Sequence, residues 1–157
     1  MNKNDYNKTP SFYNTQEVFE KYLGQSSYYN ALQRNVVKLC MLSKCKRILE
    51  LGCATGATSI ALAKAIPSAN IIGLDMRDNV IKVAEQQARI HNVKNLDFVV
   101  SNFCNYPKYS AYDFIVMLYS FHHIEDPETN KIKFLSKIYN QVKKKYIFMY
   151  CRNIPEL

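Results

Sequence analysis

The segment Arg47–Gly56, which reads R-I-L-E-L-G-C-A-T-G, is the stretch that most constrains this chain. Strand-like residues from Arg47 to Leu51 run directly into the turn Gly52–Gly56, and a helix-prone run from Ala57 to Ile66 follows. A helix N-terminus placed after a tight turn offers unpaired backbone N–H groups and a positive dipole end. The small side chains let a ligand approach the backbone. The segment therefore predicts a binding turn for a nucleotide-like or phosphate-bearing ligand.

From Arg47 onward the sequence alternates apolar runs with helical patterns. The predicted strands after the first are Asn70–Leu74, Leu96–Val100, Asp113–Leu118 and Tyr146–Cys151, and the later predicted helices are Asp78–His91, with Asp78 as its cap, and Glu128–Lys143. Strands that are apolar without alternation and are separated by helices indicate a parallel sheet with both faces covered. We therefore predict an α/β fold: a doubly wound, Rossmann-like, mostly parallel sheet with strand order 3-2-1-4-5 and helices on both faces.

Two helical patterns precede the first strand. Thr15 offers an N-cap for a short helix that Gly24 ends, and a longer helix is predicted from Tyr28 to Leu42 with Leu32, Val36 and Leu39 on its apolar side. We expect residues 1–44 to form a helical cap or lid and residues 45–157 to form the ligand-binding domain, within one compact unit. Tyr13, Tyr22, Tyr28 and Tyr29 are candidate lid aromatics, although helix packing is the more frequent use of such residues.

The composition narrows the class of protein. The chain has 157 residues and a net charge of +8, with no run of the roughly 18 apolar residues that a membrane span needs and no secretion signal, so we expect a cytoplasmic protein with no membrane contact. Five scattered cysteines without a Cys-x-x-Cys pair favour free thiols over disulfides, and we expect no metal site. The positive charge favours a solvated lysine-rich surface over a nucleic-acid site.

Two cofactor patterns compete for the glycine turn. The dinucleotide pattern Gly-x-Gly-x-x-Gly would use Gly52, Ala54 and Ala57, and only its first position fits. The alternative is an acidic residue followed by x-Gly-x-Gly-x-Gly. Glu50, Gly52 and Gly56 match this second pattern, and the only mismatch is Ala54, where alanine is the smallest change from glycine.

On these residues the chain resembles the class I S-adenosylmethionine-dependent methyltransferases of the small-molecule type. The resemblance covers about Arg47–Cys151 and rests on four stretches: Glu50–Gly56, Gly73–Met76, Val100–Phe103 and Tyr112–Ile124. It implies S-adenosylmethionine as cofactor and S-adenosylhomocysteine as product. The cofactor-binding residues that it implies are Glu50, Gly52, Cys53, Ala54, Thr55 and Gly56 for the methionyl part, Asp75 for the ribose with Met76 next to it, Asn102 for the adenine with Phe103 next to it, and Leu118 at the end of the fourth strand.

The resemblance implies in-line methyl transfer to a small-molecule acceptor. His122 and His123, on the loop that faces the methyl group in this family, are the candidate catalytic bases. The alternative is that these histidines only bond the backbone or shape the loop. Asn102 stands where the family usually has an aspartate. The open alternatives are a cofactor-binding but inactive subunit, an RNA-directed enzyme that uses the lysines between Lys131 and Lys145, and an NAD-type oxidoreductase.

The predicted last strand, Tyr146–Cys151, is apolar on both sides and would lie at an edge of the sheet. The family's fold normally continues beyond this strand, whereas this chain stops at Leu157. An uncovered edge strand invites pairing with another chain. Three explanations are open: a shortened chain, a partner or symmetry mate that completes the sheet, or an N-terminal segment folded over the edge. If the chain is naturally this short, we expect a homo-oligomer through this edge.

Overall fold

The structure is a computed structural model that describes residues 27–124, 129–142 and 146–150. Several predictions lie outside these residues: the helix from Thr15 to Gly24, the tyrosines Tyr13 and Tyr22, the helix start at Glu128, the lysines at 143–145 and the strand end at Cys151. The division into a cap, residues 1–44, and a ligand-binding domain, residues 45–157, stays a prediction.

The described strands form one five-stranded sheet in the order β3-β2-β1-β4-β5, and every neighbouring pair is parallel. The strands are β1 (Arg47–Leu51), β2 (Asn70–Asp75), β3 (Leu96–Val100), β4 (Phe114–Leu118) and β5 (Tyr146–Tyr150). The helices are α1 (Ser27–Leu42), α2 (Ala57–Ala65), α3 (Asp78–Ile90) and α4 (Thr129–Gln141). The predicted fold class and strand order are confirmed.

Each face of the sheet carries its own hydrophobic core, because successive side chains of a strand point to opposite faces. Ile48 belongs to a core with Val36 of α1 and Leu62 of α2, whereas the next residue, Leu49, belongs to a core with Ile138 of α4. β4 is buried along its whole length, as expected for a strand covered on both faces. Helices on both faces are thereby confirmed.

The sequence predicts an apolar stripe on α4 at Ile132, Leu135, Ile138 and Val142, and only its last two residues are buried. Ile132 and Leu135 are 63% and 41% exposed, and the buried residues are Phe134, Ile138 and, just after the helix, Val142. The exposed pair and the buried set both repeat at helical spacing, and the buried set is the one that contains the large aromatic ring of Phe134. A similar shift occurs in α1, where Leu39 is 41% exposed while Tyr29, Val36 and Cys40 are buried.

The prediction that Asp78 caps α3 was wrong. Arg77 occupies the cap position without a side-chain cap bond, and Asp78 is the first helical residue. Its carboxylate lies 2.6 Å from the Lys82 ammonium one turn later. An acidic residue in the first turn still favours the helix through the helix dipole.

The sheet has edges at β3 and β5. In the described part of the chain β5 pairs with β4 on one side only, which confirms the predicted position of this strand. Ile147 on β5 is 40% exposed, and Val99 on β3 is 39% exposed. None of the helices in the described ranges has the length and apolarity that a membrane span requires.

Candidate cofactor site at the carboxyl ends of the strands

The glycine turn lies between β1 and α2, as predicted. Gly52, Ala54 and Gly56 all have positive φ, at 72°, 48° and 84°. The Ala54 N–H donates to the Asp75 carboxylate at the end of β2 over 3.1 Å, and the Cys53 N–H donates to the Leu74 carbonyl over 2.8 Å. The structure therefore joins the turn directly to the acidic residue that the sequence assigned to the same site.

The glycines of this region are required by packing inside the protein as well as by their conformation. A Cβ at Gly52 would lie 2.1 Å from Ser120 Oγ, and a Cβ at Gly56 would lie 2.7 Å from the Phe98 ring. Gly73 on β2 meets the same ring, also at 2.7 Å. Close approach of a ligand, which the sequence suggested as the reason for small residues, is therefore not needed to explain these glycines.

Asp75 is 6% exposed, and both of its carboxylate oxygens accept hydrogen bonds. Oδ2 accepts from Ala54, and Oδ1 accepts from both the backbone N–H and the Nε of Arg77, each over 3.1 Å. Arg77 is 30% exposed at its side chain, so its guanidinium lies on the solvent side of this pair. A cofactor ribose would fit Asp75 by replacing the Arg77 side chain, because two adjacent hydroxyl donors match a carboxylate with two acceptor oxygens.

Glu50 points away from the strand ends and into the core. Its position on β1 directs the side chain beneath α2, where it is 3% exposed and accepts a hydrogen bond from the Ser59 hydroxyl. Burial raises the pKa of Glu50 from 4.5 to about 7, although hydrogen bonds from Ser59 act in the opposite direction. In this structure Glu50 fixes the helix that follows the turn, and its role toward a cofactor stays a prediction.

The raised pKa of Glu50 predicts a pH-dependent stability. Between pH 4.5 and about 7 the folded protein keeps a proton that the unfolded chain releases, so the free energy of unfolding should fall as pH rises through this window. The expected loss is about 3 kcal/mol, and it should be absent in Glu50→Gln. Urea unfolding of both proteins at pH 5 and pH 8 measures the difference. Parallel pH profiles for the two proteins would contradict this prediction.

The other residues assigned to the methionyl and ribose parts lie around the turn. Cys53 is buried, and a Cβ on Gly73 would lie 3.0 Å from its sulfur, so this cysteine presents only its backbone to the strand ends. Burial raises the pKa of the Cys53 thiol well above its usual range. Thr55 is half-buried in the turn, and Met76 is 45% exposed just after Asp75.

The two residues assigned to the adenine make other contacts in this structure. Asn102 Oδ1 accepts from the Cys104 N–H over 2.9 Å and so caps a short 3-10 turn, Phe103–Asn105. The Phe103 ring packs 5.4 Å from the Phe134 ring, toward α4. Both residues follow β3 as predicted, and their role in holding adenine stays a prediction.

The loop after β4 lies against the glycine turn. Leu118 ends β4 and is buried, and Ser120 Oγ lies 3.0 Å from the Leu118 carbonyl and 3.2 Å from the Gly52 carbonyl. His122 and His123 follow in a 3-10 turn with ring centroids 4.0 Å apart. Desolvation lowers the pKa of both imidazoles. The charge of Lys131 lowers the pKa of His122 further, and the charges of His122 and Arg77 lower that of His123 further. Two largely neutral imidazoles therefore lie beside the turn at neutral pH.

Sequence reasoning missed three contributors to this site: Ser59 beneath Glu50, Arg77 on Asp75, and Ser120 against Gly52. The contact of Arg77 with Asp75 could have been predicted, because Arg77 lies two residues after the acidic residue that ends the strand. The contacts of the serines could not, since a buried serine is recognised only when its partner's position in space is known.

Two surface cavities formed by the described residues lie elsewhere. One, of about 310 Å³, is lined by α1 and α2 residues that include Gln33 and Val37, and another, of about 420 Å³, lies near Lys64 and Asn95. Neither is lined by the glycine turn or by Asp75. The candidate site is therefore identified by the chemistry of the strand ends.

Comparison with known proteins identifies the family of this chain. Residues 42–156 match the family model of the methyltransferase domain. A carboxy-S-adenosyl-L-methionine synthase of Nautilia profundicola is 33% identical over 136 residues, covering 84% of this chain and 56% of that protein. A demethylmenaquinone methyltransferase of Geobacillus stearothermophilus is 26% identical over 96 residues, covering 60% of this chain and 41% of that protein.

The fold has a solved counterpart in an N-methyltransferase from Bradyrhizobium japonicum, crystallised with S-adenosylhomocysteine. The two structures superpose with a TM-score of 0.65 at 19% sequence identity, over 76% of this chain and 59% of the other. The matched sequence and the matched fold together place this chain in the class I S-adenosylmethionine-dependent methyltransferase domain family. The predicted resemblance to this family is thereby confirmed. The chain spans about half the length of the curated relatives described here.

Proposed function

We propose that this chain binds S-adenosylmethionine at the carboxyl ends of β1, β2 and β3 and transfers its methyl group to a small-molecule acceptor. The observation that carries the proposal is the direct bond between the Ala54 N–H and the Asp75 carboxylate, which joins the glycine turn to the acidic strand end. The relatives that carry the names carboxy-S-adenosyl-L-methionine synthase and demethylmenaquinone methyltransferase support a small-molecule acceptor.

In this proposal the chain supplies orientation more than chemical activation. The sulfonium of the bound cofactor already carries an activated methyl group. The glycine turn would hold the methionyl end and Asp75 the ribose hydroxyls, while Ser120 fixes the turn against the loop after β4. Alignment of this kind can supply about 7 to 11 kcal/mol of the barrier.

The proposal is tested by calorimetry with S-adenosylmethionine, followed by a methyl-release assay across pooled small-molecule acceptors. Binding together with methyl release supports an active enzyme. Binding without release of methyl to any acceptor favours the inactive-subunit alternative. Binding of NAD in place of S-adenosylmethionine would contradict the proposal.

An RNA acceptor has less support. Two of the lysines that such an acceptor would use have partners within the chain: Lys137 donates to the Cys104 carbonyl over 2.8 Å, and the Lys131 ammonium lies 5.7 Å from the Phe121 ring centre. Tight and strongly salt-dependent RNA binding would reverse this preference.

The histidines after β4 are proposed as the base for acceptors that must lose a proton. Replacing both His122 and His123 with Gln should lower kcat by about 100-fold or more while changing the KM for S-adenosylmethionine by less than about threefold. Because the pKa of each is lowered, the acidic limb of the kcat profile should lie below pH 6.5. His91→Gln is the matched control, since His91 lies at the far end of α3. An unchanged kcat in the double variant would rule out the base.

We also propose self-association through the β5 edge. The measurement is light scattering at high protein concentration, where we expect a dimer that Ile147→Lys dissociates, because a charge on an exposed edge strand opposes strand pairing. Val99→Lys, at a position of similar exposure on the other edge strand, should leave the dimer intact. A strictly monomeric wild-type protein would disprove the proposal.

A further inference from the structure

Four tyrosines come together at the carboxyl ends of β4 and β5. Tyr119 directly follows β4 and Tyr150 ends β5, while Tyr28 and Tyr29 belong to the first turn of α1. Their ring centroids follow one another at 5.7 Å (Tyr28 to Tyr150), 5.2 Å (Tyr150 to Tyr119) and 5.9 Å (Tyr119 to Tyr29). We call this set of four residues the tyrosine row.

The row begins at the helix behind the cofactor turn and ends near solvent. At its inner end the Tyr29 hydroxyl is buried and lies 3.0 Å from Thr58 Oγ1, in the first turn of α2. At its outer end Tyr28 is 47% exposed and donates to the Tyr150 hydroxyl over 2.6 Å. The row therefore spans the distance between the glycine turn and the protein surface.

The topology of the sheet sets where a methyl acceptor must lie. In the proposed function the cofactor lies across β1, β2 and β3, with its methionyl end at the turn after β1. β4 adjoins β1 on the side away from β2, and β5 lies beyond β4. The methyl group would therefore face the carboxyl ends of β4 and β5, where the tyrosine row lies.

The backbone at Tyr119 supports a functional use of the row. Tyr119 has a φ of +54°, a left-handed conformation that costs a bulky residue energy and that glycine or asparagine would adopt more readily. The conformation keeps the Tyr119 ring on Tyr29 and Tyr150 while the next residue, Ser120, reaches the Gly52 carbonyl. One strained residue thus links the ring surface to the cofactor turn.

The geometry of the rings selects the chemistry of the acceptor. The rings are tilted by 36° to 67° and contact one another. Tyr29 is buried, Tyr28 is exposed, and Tyr119 and Tyr150 are half-buried, so the outer three rings form a wall rather than an open cage of the kind that encloses a quaternary ammonium. A wall of aromatic faces and edges matches a flat ring, which gains stacking or edge contacts beyond simple burial. The hydroxyl pair of Tyr28 and Tyr150 adds polar partners for a ring substituent.

We propose that the tyrosine row is the acceptor-binding wall and that the methyl acceptor is a planar aromatic compound. This inference rests on the proposed function, because it takes the position of the cofactor from it. The competing explanation is that the tyrosines only pack α1 against the sheet. That explanation gives no reason for a preference between aromatic and saturated ligands.

The test is calorimetry on the full chain saturated with S-adenosylhomocysteine, with 2-naphthol as the probe and its saturated counterpart decahydro-2-naphthol as the comparison. We expect 2-naphthol to bind about 10-fold more tightly than the saturated alcohol. Tyr28→Leu should weaken 2-naphthol binding by about 3- to 10-fold, the range of a single aromatic pair. Tyr139→Leu, at a 78% exposed tyrosine on α4, should change nothing.

The outcomes separate this inference from the proposed function. If S-adenosylhomocysteine itself fails to bind, the proposed function fails first. If it binds but 2-naphthol does not, or binds no better than the saturated alcohol, the aromatic acceptor is wrong. An equal loss of affinity in Tyr28→Leu and Tyr139→Leu would show non-specific surface binding and would also overturn the inference. Tyr28 is half-exposed, so loss of folding is not expected to obscure its variant, and a thermal melt checks this.

Discussion

Asp75→Ala is expected to weaken the binding of S-adenosylhomocysteine by about 100-fold or more. The variant removes the carboxylate that is proposed to accept from both ribose hydroxyls, and each hydrogen bond to a charged group contributes about 1.5 to 3 kcal/mol. It also removes the bond from the Ala54 N–H that ties the glycine turn to β2. Calorimetric titration of the variant and the wild type, at a temperature where both are folded, measures the ratio of Kd values.

Arg77→Gln is the matched control for Asp75. The Arg77 side chain donates to the same carboxylate in this structure, so it competes with a ribose for those oxygens. Removing it should leave the affinity within about fivefold of the wild type or increase it, because only the competing ion pair of a partly exposed arginine is lost. An Asp75→Ala affinity within fivefold of the wild type would contradict the assigned role of Asp75.

Gly52→Ala is expected to lower the free energy of unfolding by about 2 to 5 kcal/mol, which combines the cost of a left-handed alanine with that of an overpacked contact. Gly52 has a φ of +72°, and the added Cβ would lie 2.1 Å from Ser120 Oγ and 2.5 Å from Ser120 Cβ. Both atoms belong to one side chain on the loop after β4, so the clash acts between the two loops of the site. Urea unfolding measures the loss.

Ser120→Gly should partly rescue Gly52→Ala. It removes both clashing atoms, whereas the strain of a positive φ at residue 52 remains. We expect a coupling free energy of about 1 to 3 kcal/mol in the double-mutant cycle. Gly73→Ala is the control, because its Cβ would meet the Phe98 ring and Ser120→Gly should not rescue it. Strictly additive effects of Gly52→Ala and Ser120→Gly would contradict the direct contact between the turn and the loop.

The architecture could be predicted from the sequence because several local signals agreed with one another. Apolar runs such as Leu96–Val100 with its single aspartate and Phe114–Leu118 lie between helical patterns, and that arrangement allows few parallel sheets. The glycine turn and Asp75 were also predicted to meet. Parallel strands bring their carboxyl ends to one edge, so residues that follow neighbouring strands become neighbours in space.

The choice between two apolar faces on one helix could not be predicted. In α4 the set Ile132, Leu135 and Tyr139 has helical spacing, and so does the set Phe134, Ile138 and Val142. Only the second is buried in the structure. Periodicity locates a helix, but the partner surface decides which side it buries.

The direction in which a side chain of the site points could not be predicted from the sequence either. Glu50 matches a cofactor motif by its position, yet its carboxylate accepts from Ser59 beneath α2. Asn102 follows β3 as expected, yet its oxygen caps the next turn. In both cases a hydrogen-bond partner that is close only in the folded chain determines the orientation.

The central claim, that the glycine turn and Asp75 form an S-adenosylmethionine site, is tested most directly by a crystal structure of the chain with S-adenosylhomocysteine. We predict the methionyl end along Gly52–Gly56, both ribose hydroxyls on Asp75, and the Arg77 guanidinium displaced from that carboxylate. A ligand bound away from the carboxyl ends of β1 and β2, or an Arg77–Asp75 pair unchanged beneath a bound ligand, would contradict the claim.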